Sequence, residues 1–299
     1  YTVYGYQVVI NGNFDLKYYI DLSKETANDT DAYIEFKVGD RIQKVKQRET
    51  SNGHYVYTCE VPVAQIGDKV TATLHYKDKL YALSQYSVKD YLNTIVQNKD
   101  KKEEYGKAGD IASAILNYGA RAQIYFGYKT DSLVNSALSD AEIKKVDSIL
   151  AQDIKNAITN KESGNLENND FKYYGDSLVC KSDTGMKLYF ENKNSLSLKE
   201  IEKKYDISVK DCKKQVSKSI NGNMICITIN DLNATELDDN FVVQITNKQN
   251  SSQSMSVSIS PYMYIKKSMD SRNAKLINLS KAMYWYSQKA MEYSMTENR

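Results

Sequence analysis

The segment IASAILNYGARAQIYF, residues 111–126, has a counterpart later in the chain, LSKAMYWYSQKAMEYS at residues 279–294. Aligned without gaps, the two share four residues 168 positions apart: Ala114 and Ala282, Tyr118 and Tyr286, Ala122 and Ala290, and Tyr125 and Tyr293. Their spacing of 0, 4, 8 and 11 positions follows one stripe of an α-helix. The sequence therefore predicts the same helix in each half, with this stripe facing inward.

The correspondence continues upstream of both helices. Three further pairs of segments align in the same order at offsets of 170 to 171: 8–22 with 178–192, 61–74 with 229–245, and 86–96 with 257–267. A period this long indicates tandem domains, because solenoid repeats recur every 20 to 50 residues or so. The chain is therefore interpreted as a duplication.

Each half places strand-like segments first and helical segments afterwards. We predict an α+β fold with two duplicated domains, each an antiparallel β-sheet or sandwich followed by a helical pair. The repeats are expected at 1–138 and 166–299. Between them, at 139–165, a linker helix should begin at the capping box Ser139–Glu142, continue to about Ile158, and lead into a polar loop.

Local signals mark the ends of several helices. Ser87 and Ser260 are placed as N-caps, and Pro261 follows at a first helical position. The helix from about Asp110 should end at Gly127. Gly119 lies in its middle, where glycine costs about 1 kcal/mol relative to alanine, which predicts close approach of another helix or of the sheet.

Composition excludes several partner classes. A net charge of +2 and lysine-rich stretches interleaved with acids argue against a nucleic-acid surface. No run of 18 or more apolar residues occurs, so no membrane insertion by this fragment is expected. Because the chain starts at Tyr1 without methionine or a signal-like segment, we expect it to be part of a longer protein.

The residues that carry most catalytic chemistry are scarce. The two histidines, His54 and His75, have no neighbouring cysteine or histidine in sequence, and no hydrolase, zinc-protease or nucleotide motif occurs. Asp29/Asp31 and Asp238/Asp239 are interpreted as turns. Paired carboxylates of a glycosidase stay open, although the sequence nominates no pair. We expect no enzyme, no catalytic residue, no metal and no cofactor.

The cysteines form no close-spaced ligand or redox pair. Cys59, Cys180 and Cys226 lie in strand-like runs, so buried thiols are expected there. A bridge among Cys180, Cys212 and Cys226 stays open.

Tyrosine is the compositional outlier, with 25 tyrosines against 6 phenylalanines and 1 tryptophan. Exposed tyrosine supplies rigid contact area at low entropic cost, whereas a polar surface with Tyr in place of Phe is the alternative. The candidate partner contacts are the tyrosines near the start and on two strands: Tyr1, Tyr4, Tyr6, Tyr18, Tyr55 and Tyr57. Alternation puts Tyr55 and Tyr57 on one strand face, which could equally be core.

The segments YSVKDYLNTIV (86–96) and LNYGARAQIYFGYK (116–129) resemble a family found in large secreted and wall-attached proteins of gut Gram-positive bacteria. Its hallmark is an "LNYGAAAQ-YFGYN" helix after a "YSVRDY" helix. Arg121 and Lys129 depart from that pattern. The second half, with YYGDSLVCKSDTGMKLYF (173–190) and KAMYWYSQKAMEYS (281–294), resembles the family's companion repeat.

The resemblance implies an extracellular or cell-wall location and a non-enzymatic binding module or adhesin. Some large surface proteins of this bacterial group bind immunoglobulin variable domains as B-cell superantigens, so a host protein, with the antibody variable domain as a candidate, is the first expected partner. A carbohydrate-binding module, with tyrosines or Trp285 stacking on a glycan, is the second hypothesis. A structural spacer in a cell-wall protein is the third.

Overall fold

The computed structural model describes residues 1–11, 13–46, 48–101, 103–180, 184–210 and 212–297. Within these ranges the chain forms fifteen β-strands in four antiparallel sheets and eight α-helices, a mixed α/β fold. Two compact units are present: Tyr1–Val146 with Lys289–Arg299, and Asp147–Gln288. The boundary after Val146 falls inside the segment 139–165 that the sequence predicts as a linker. The boundary after Gln288 falls within the last helix, which the sequence predicts wholly inside the second repeat; this helix is assigned to the second unit because most of its residues lie there.

The first unit starts with strands and ends with helices. Its strands are β1 (Thr2–Asn11), β2 (Asn13–Asp21), β3 (Tyr33–Val38), β4 (Arg41–Val45), β5 (Glu49–Ser51), β6 (His54–Val61), β7 (Val70–Tyr76) and β8 (Lys79–Tyr86). They form two four-stranded sheets with the orders β1-β2-β6-β5 and β4-β3-β7-β8. The helices are α1 (Lys24–Asn28), α2 (Val88–Asn98), α3 (Glu103–Phe126) and α4 (Asp140–Asp147), and a 3₁₀ turn covers Val63–Gln65.

The core of this unit lies between its two sheets. Every second residue of β2 from Phe14 to Ile20 is buried, as are Ile34, Phe36 and Val38 of β3. The rings of Tyr18 and Phe36 lie 5.0 Å apart across the interface. The period of two gives each sheet one apolar face, and the two faces pack together as a sandwich.

The predicted start of α2 and the predicted end of α3 are confirmed, but α3 begins at Glu103, earlier than the predicted start near Asp110. The Ser87 hydroxyl accepts a hydrogen bond of 3.1 Å from the backbone N–H of Asp90, as an N-cap. Ala114, Tyr118 and Ala122 are buried along α3, as the stripe predicts. Gly127, with φ of +69°, follows the last helical residue.

A neighbouring segment does approach Gly119 of α3 closely, but it consists of a 3₁₀ connection and a loop and not of the predicted helix or sheet. A Cβ atom there would lie 2.4 Å from Cδ1 of Ile66 and 2.9 Å from Cγ2 of Val134. Both side chains are buried. The helix therefore rests on the 3₁₀ connection between β6 and β7 at a point where only a hydrogen atom fits.

The second unit has its own pair of sheets. Its strands are β9 (Phe171–Val179), β10 (Gly185–Asn192), β11 (Tyr205–Lys210), β12 (Val216–Asn221), β13 (Met224–Ile229), β14 (Phe241–Asn247) and β15 (Met255–Ile259). The sheet orders are β12-β13-β10-β9 and β11-β14-β15. The helices are α5 (Ala151–Ala157), α6 (Leu198–Lys204), α7 (Pro261–Ser268) and α8 (Ala274–Glu297), with 3₁₀ turns at Ala234–Glu236 and Ser251–Gln253.

Helix α7 is capped as predicted. Ser260 accepts a hydrogen bond of 3.2 Å from the backbone N–H of Tyr262, and Pro261 is the first helical residue. In α8 the stripe residues Ala282, Tyr286 and Ala290 are buried. Apolar residues alternate along β10 and β14 in the same way as in the first unit.

The predicted linker helix is wrong as a single element. Residues 139–158 form two short helices, α4 and α5, because Leu150 is extended (φ −74°, ψ 138°) and serves as the N-cap of α5. The Ser139 hydroxyl does accept from the backbone N–H of Glu142, at 3.3 Å. The Glu142 side chain, however, forms an ion pair with Lys99.

Candidate binding surface

The tyrosines predicted as partner contacts have different exposures. Tyr1 is 43% and Tyr4 is 71% exposed. Tyr6 is half-buried: it stacks on Tyr86 at 4.0 Å and meets Tyr18 edge-on at 5.1 Å. Of these three, only Tyr4 therefore presents most of its ring to solvent.

The prediction is wrong for Tyr18 and Tyr57. Both are buried, at 0% and 1% exposure, because they lie opposite each other in the β2–β6 pair on the side that faces the core. Burial raises the pKa of both phenols, since the charged form is poorly solvated there. Tyr55 lies on the same face nearer the end of the strand, and it is half-buried. The alternative that this face is core is the right one for Tyr57.

A row of aromatic rings joins β1 to β8, which are edge strands of the two sheets of the first unit. Tyr1 meets Tyr81 at 4.7 Å, and Tyr6 stacks on Tyr86. The Tyr91 side chain of α2 lies near the backbone of Val8 in β1. Side chains therefore line the outer edge of β1, which leaves little room there for strand addition by a partner.

Tyr4 lies outside this row of aromatic rings because β1 has a bulge at that residue. Val3 pairs with Ile20 and Gly5 pairs with Tyr19, so Tyr4 is an extra residue without a partner in β2. Its ring stacks on the His54 imidazole at 4.0 Å and 17°. Nδ1 of His54 lies 2.6 Å from an Asp21 carboxylate oxygen, which fixes the imidazole in place.

The first strand of the second unit has the same irregularity. In β9, Tyr173 pairs with Phe190 and Gly175 pairs with Tyr189, so Tyr174 is the extra residue. Its side chain is 77% exposed. Tyr4 and Tyr174 are each followed by a glycine, and a Cβ atom at Gly5 or Gly175 would meet nothing within 4 Å. Each unit therefore presents one tyrosine on a bulged edge strand.

Sequence reasoning missed this second tyrosine. The segments YTVYGYQVV (1–9) and FKYYGDSLV (171–179) align at an offset of 170 and share a Tyr-Gly pair at the same place. Extending the repeat alignment to the first residue would have found the pair. The bulge itself becomes visible only in the strand register.

A cavity of about 840 Å³ lies beside the row of rings in the first unit. Tyr6, Tyr86 and Tyr91 contribute aromatic walls, and Thr94, Ile95 and Asn98 of α2 add a mixed polar and apolar side. Small-molecule sites are usually concave and mainly apolar with a few polar groups. The volume of this cavity lies in the range of small-molecule sites.

His75 and the buried acid Asp68 contact side chains close to them. His75 stacks on Tyr33 at 4.4 Å and lies 3.6 Å from a Glu35 oxygen. Asp68 accepts from the Tyr128 hydroxyl at 2.5 Å and from Lys129 at 2.6 Å, which ties the end of α3 to the turn before β7. Among the residues that the structure describes, no group of three or more His, Cys, Asp or Glu could hold a metal ion.

The acidic clusters adopt turns. The backbone N–H of Asp31 donates to the Asp29 side chain at 2.8 Å, a local turn bond. Burial first, then the neighbouring Asp238 and Glu236, raises the pKa of Asp239. Neither cluster gathers oxygens from distant elements.

Cys59 and Cys226 are buried thiols, whereas Cys180 is half-buried. Within the described ranges the cysteines are not bridged. Trp285, a candidate for sugar stacking, is half-buried in α8.

No family model matches the chain, and no curated protein matches it significantly. No helix in the described part of the chain is both long and apolar enough to cross a membrane.

Proposed function

We propose that the chain consists of two copies of one domain. Each unit contains, in order, an edge strand with a Tyr-Gly bulge, a second strand, a short helix, further strands around a 3₁₀ turn, and two helices. The sheets β1-β2-β6-β5 and β9-β10-β13-β12 place corresponding strands in corresponding positions. In the described part of the second unit no strand corresponds to β4, so β11 pairs with β14 alone.

The function that the surface supports best is a non-enzymatic, extracellular binding module of a bacterial surface protein that engages a host protein. The observation that carries it is the pair of protruding tyrosines, one in each unit. Tyrosine is enriched at protein interfaces because its ring offers large, stiff contact area with few rotatable bonds. The resemblance to wall-attached proteins of gut bacteria supports the extracellular location and makes the antibody variable domain the first partner to test.

Biolayer interferometry with the immobilised chain tests this function. A panel of monoclonal Fab fragments that differ in variable-domain family should include members that bind reversibly. The matching Fc fragment is the control, since it carries no variable domain. Absence of binding to every Fab, together with no specific capture from whole serum, would overturn the host-protein function.

A glycan-binding module is the second candidate, favoured by one observation. The Tyr4 ring is held flat against His54 by a 4.0 Å stack, and the Asp21 carboxylate lies next to that imidazole. A fixed ring beside hydrogen-bonding groups suits a sugar. A glycan array with hits that disappear in His54→Ala would favour this candidate over the first.

A further inference from the structure

Tyr4 and Tyr174 occupy the same kind of backbone position in the two units, although the residues around them differ. Each is the extra residue of a bulge on the first strand of its unit, and each precedes a glycine. Their exposed fractions, 71% and 77%, exceed those of the other exposed large apolar or aromatic residues in the described chain. A bulge redirects a side chain and ends regular pairing at that point. The bulge therefore exposes one tyrosine ring to solvent in each unit.

A ring in this position is a convex feature. Small ligands bind in concave sites that surround most of their surface, and neither tyrosine is enclosed in that way. A protruding aromatic side chain instead suits a pocket on the surface of a folded partner, as aromatic residues do at the centres of protein interfaces. The occupant is therefore a protein with an apolar pocket that can accept a tyrosine ring.

We infer that Tyr4 and Tyr174 are two equivalent anchor residues, each of which inserts into a protein partner, so that the chain carries one independent binding site in each unit. This inference rests on the proposed host-protein function and adds its residues and its valence. The stack on His54 restricts the Tyr4 ring before binding, which lowers the entropy lost when the partner closes on it.

Isothermal titration calorimetry with one monoclonal Fab that binds the wild-type chain tests the inference. The wild-type chain should bind about two Fab molecules, since it has two sites. Tyr4→Ala and Tyr174→Ala should each reduce the stoichiometry to about one, and the double variant should bind at least about 30-fold more weakly, as expected for loss of hot-spot residues.

Two matched controls replace exposed apolar residues outside the bulges. Leu80→Ala on β8 and Ile220→Ala on β12, at 68% and 36% exposure, should leave both stoichiometry and affinity unchanged. Fab binding that survives in the double variant, or is lost equally in the controls, would overturn the inference and leave the proposed function intact. No binding of the wild-type chain to any Fab, together with no specific capture from whole serum, would overturn both. Binding only to glycans, lost in the tyrosine variants, would assign the rings to a sugar instead.

Discussion

The two units hold their first strands in place through different interactions. Two residues after its bulge, β1 has Tyr6, which stacks on Tyr86 just before α2. At the corresponding place β9 has Asp176, which pairs with Lys267 of α7 at 2.9 Å. One unit therefore ties its first strand to the sheet edge with aromatic rings, and the other ties it to a helix with an ion pair.

A second position shows the same contrast. In α3, Gly119 lets the helix touch Ile66 and Val134 directly. The aligned Ser287 of α8 contacts the 3₁₀ turn of its own unit through a hydroxyl that donates to the Ala234 carbonyl at 2.6 Å. A duplicated backbone thus tolerates a van der Waals contact in one copy and a hydrogen bond in the other, provided that the helix stays close to the turn.

The largest effect is expected at a polar site of the second unit. Asp170 is 4% exposed and accepts from the Tyr205 hydroxyl at 2.7 Å, from Asn194 at 2.6 Å and from Lys204 at 2.5 Å. Asp170→Ala leaves these donors without their acceptor, and the free energy of unfolding should fall by about 3 kcal/mol. Urea denaturation measures the loss.

Hydrogen exchange tests whether this loss is local. Protection should decrease in peptides from 171–210 and stay unchanged in peptides from 13–45. The control is Tyr205→Phe, which removes only one donor and should cost about 1 kcal/mol. An equal loss of protection in both units would show that the effect of the Asp170 hydrogen bonds is not confined to the second unit.

Exchanging the paired helix residues should give the next largest effect. Gly119→Ser places a Cβ where Ile66 already lies, which should cost about 2 kcal/mol through overpacking. Ser287→Gly removes the bonds to Ala234 and Tyr262 and adds the helix penalty of glycine, again about 2 kcal/mol. Thermal unfolding of the two single variants and of the double exchange provides the measurement.

The two single variants need not lose the same amount of stability for the comparison between α3 and α8 to hold. If either helix accepts the residue of the other with no change in stability, the contact at that position is not specific to its unit. Ser280→Gly is the control in α8 for the glycine penalty alone, since Ser280 is buried in the same helix away from the turn.

Local features were the ones that the sequence predicted well. The inward stripes, the serine caps and the close approach at Gly119 all follow from spacing within one helix. Strands β4, β5 and β12 were not predicted, because RIQKV, ETS and VSKSIN are short and mostly polar or charged and therefore lack an apolar alternation. The break at Leu150 was missed as well, since no glycine or proline marks it.

The exposures of Tyr4 and Tyr18 show why the candidate site was only half predicted. Both lie in tyrosine-rich strands, and composition treats them alike. Tyr18 points inward because its strand alternates regularly and the second sheet covers that face. Tyr4 points outward because one inserted residue shifts the register. The register of a strand depends on the strand with which it pairs, and the periodicity of a single segment carries no information about that partner.

The hydroxyl inside the first core provides a smaller test. Tyr18 donates to the Val70 carbonyl at 3.1 Å, whereas the aligned core residue of the second unit is Leu188. Tyr18→Phe should lower the free energy of unfolding by about 1 kcal/mol, the usual net value of a buried hydrogen bond. Guanidinium denaturation would detect it, and a variant at least as stable as the wild type would show that the hydroxyl is not needed in that core.

The smallest expected effect is a pH dependence at the N-terminal end of α2. Asp90 lies in the first turn of α2, where burial alone would raise its pKa, but hydrogen bonds from Lys69 and Ser87 outweigh that effect and hold the pKa below its usual range. Three residues after its own N-cap, Ser260, helix α7 has Met263, which does not ionise. A lowered pKa means that the stabilisation is fully present above the unfolded value of about 3.9 and is lost as the pH falls through the folded pKa.

Asp90→Asn cannot ionise, so it should lose less than about 1 kcal/mol at pH 7, because the carboxylate is partly exposed and solvent screens it. Exchange of α2 amides, measured between pH 3 and 6 and corrected for the intrinsic rate, should show less acid dependence in the variant than in the wild type. Amides of α7 should respond to pH equally in both proteins. An unchanged acid response of α2 in the variant would assign the stability of that helix end to Ser87 alone. Helices α2 and α7 would then be capped in the same way, by a serine.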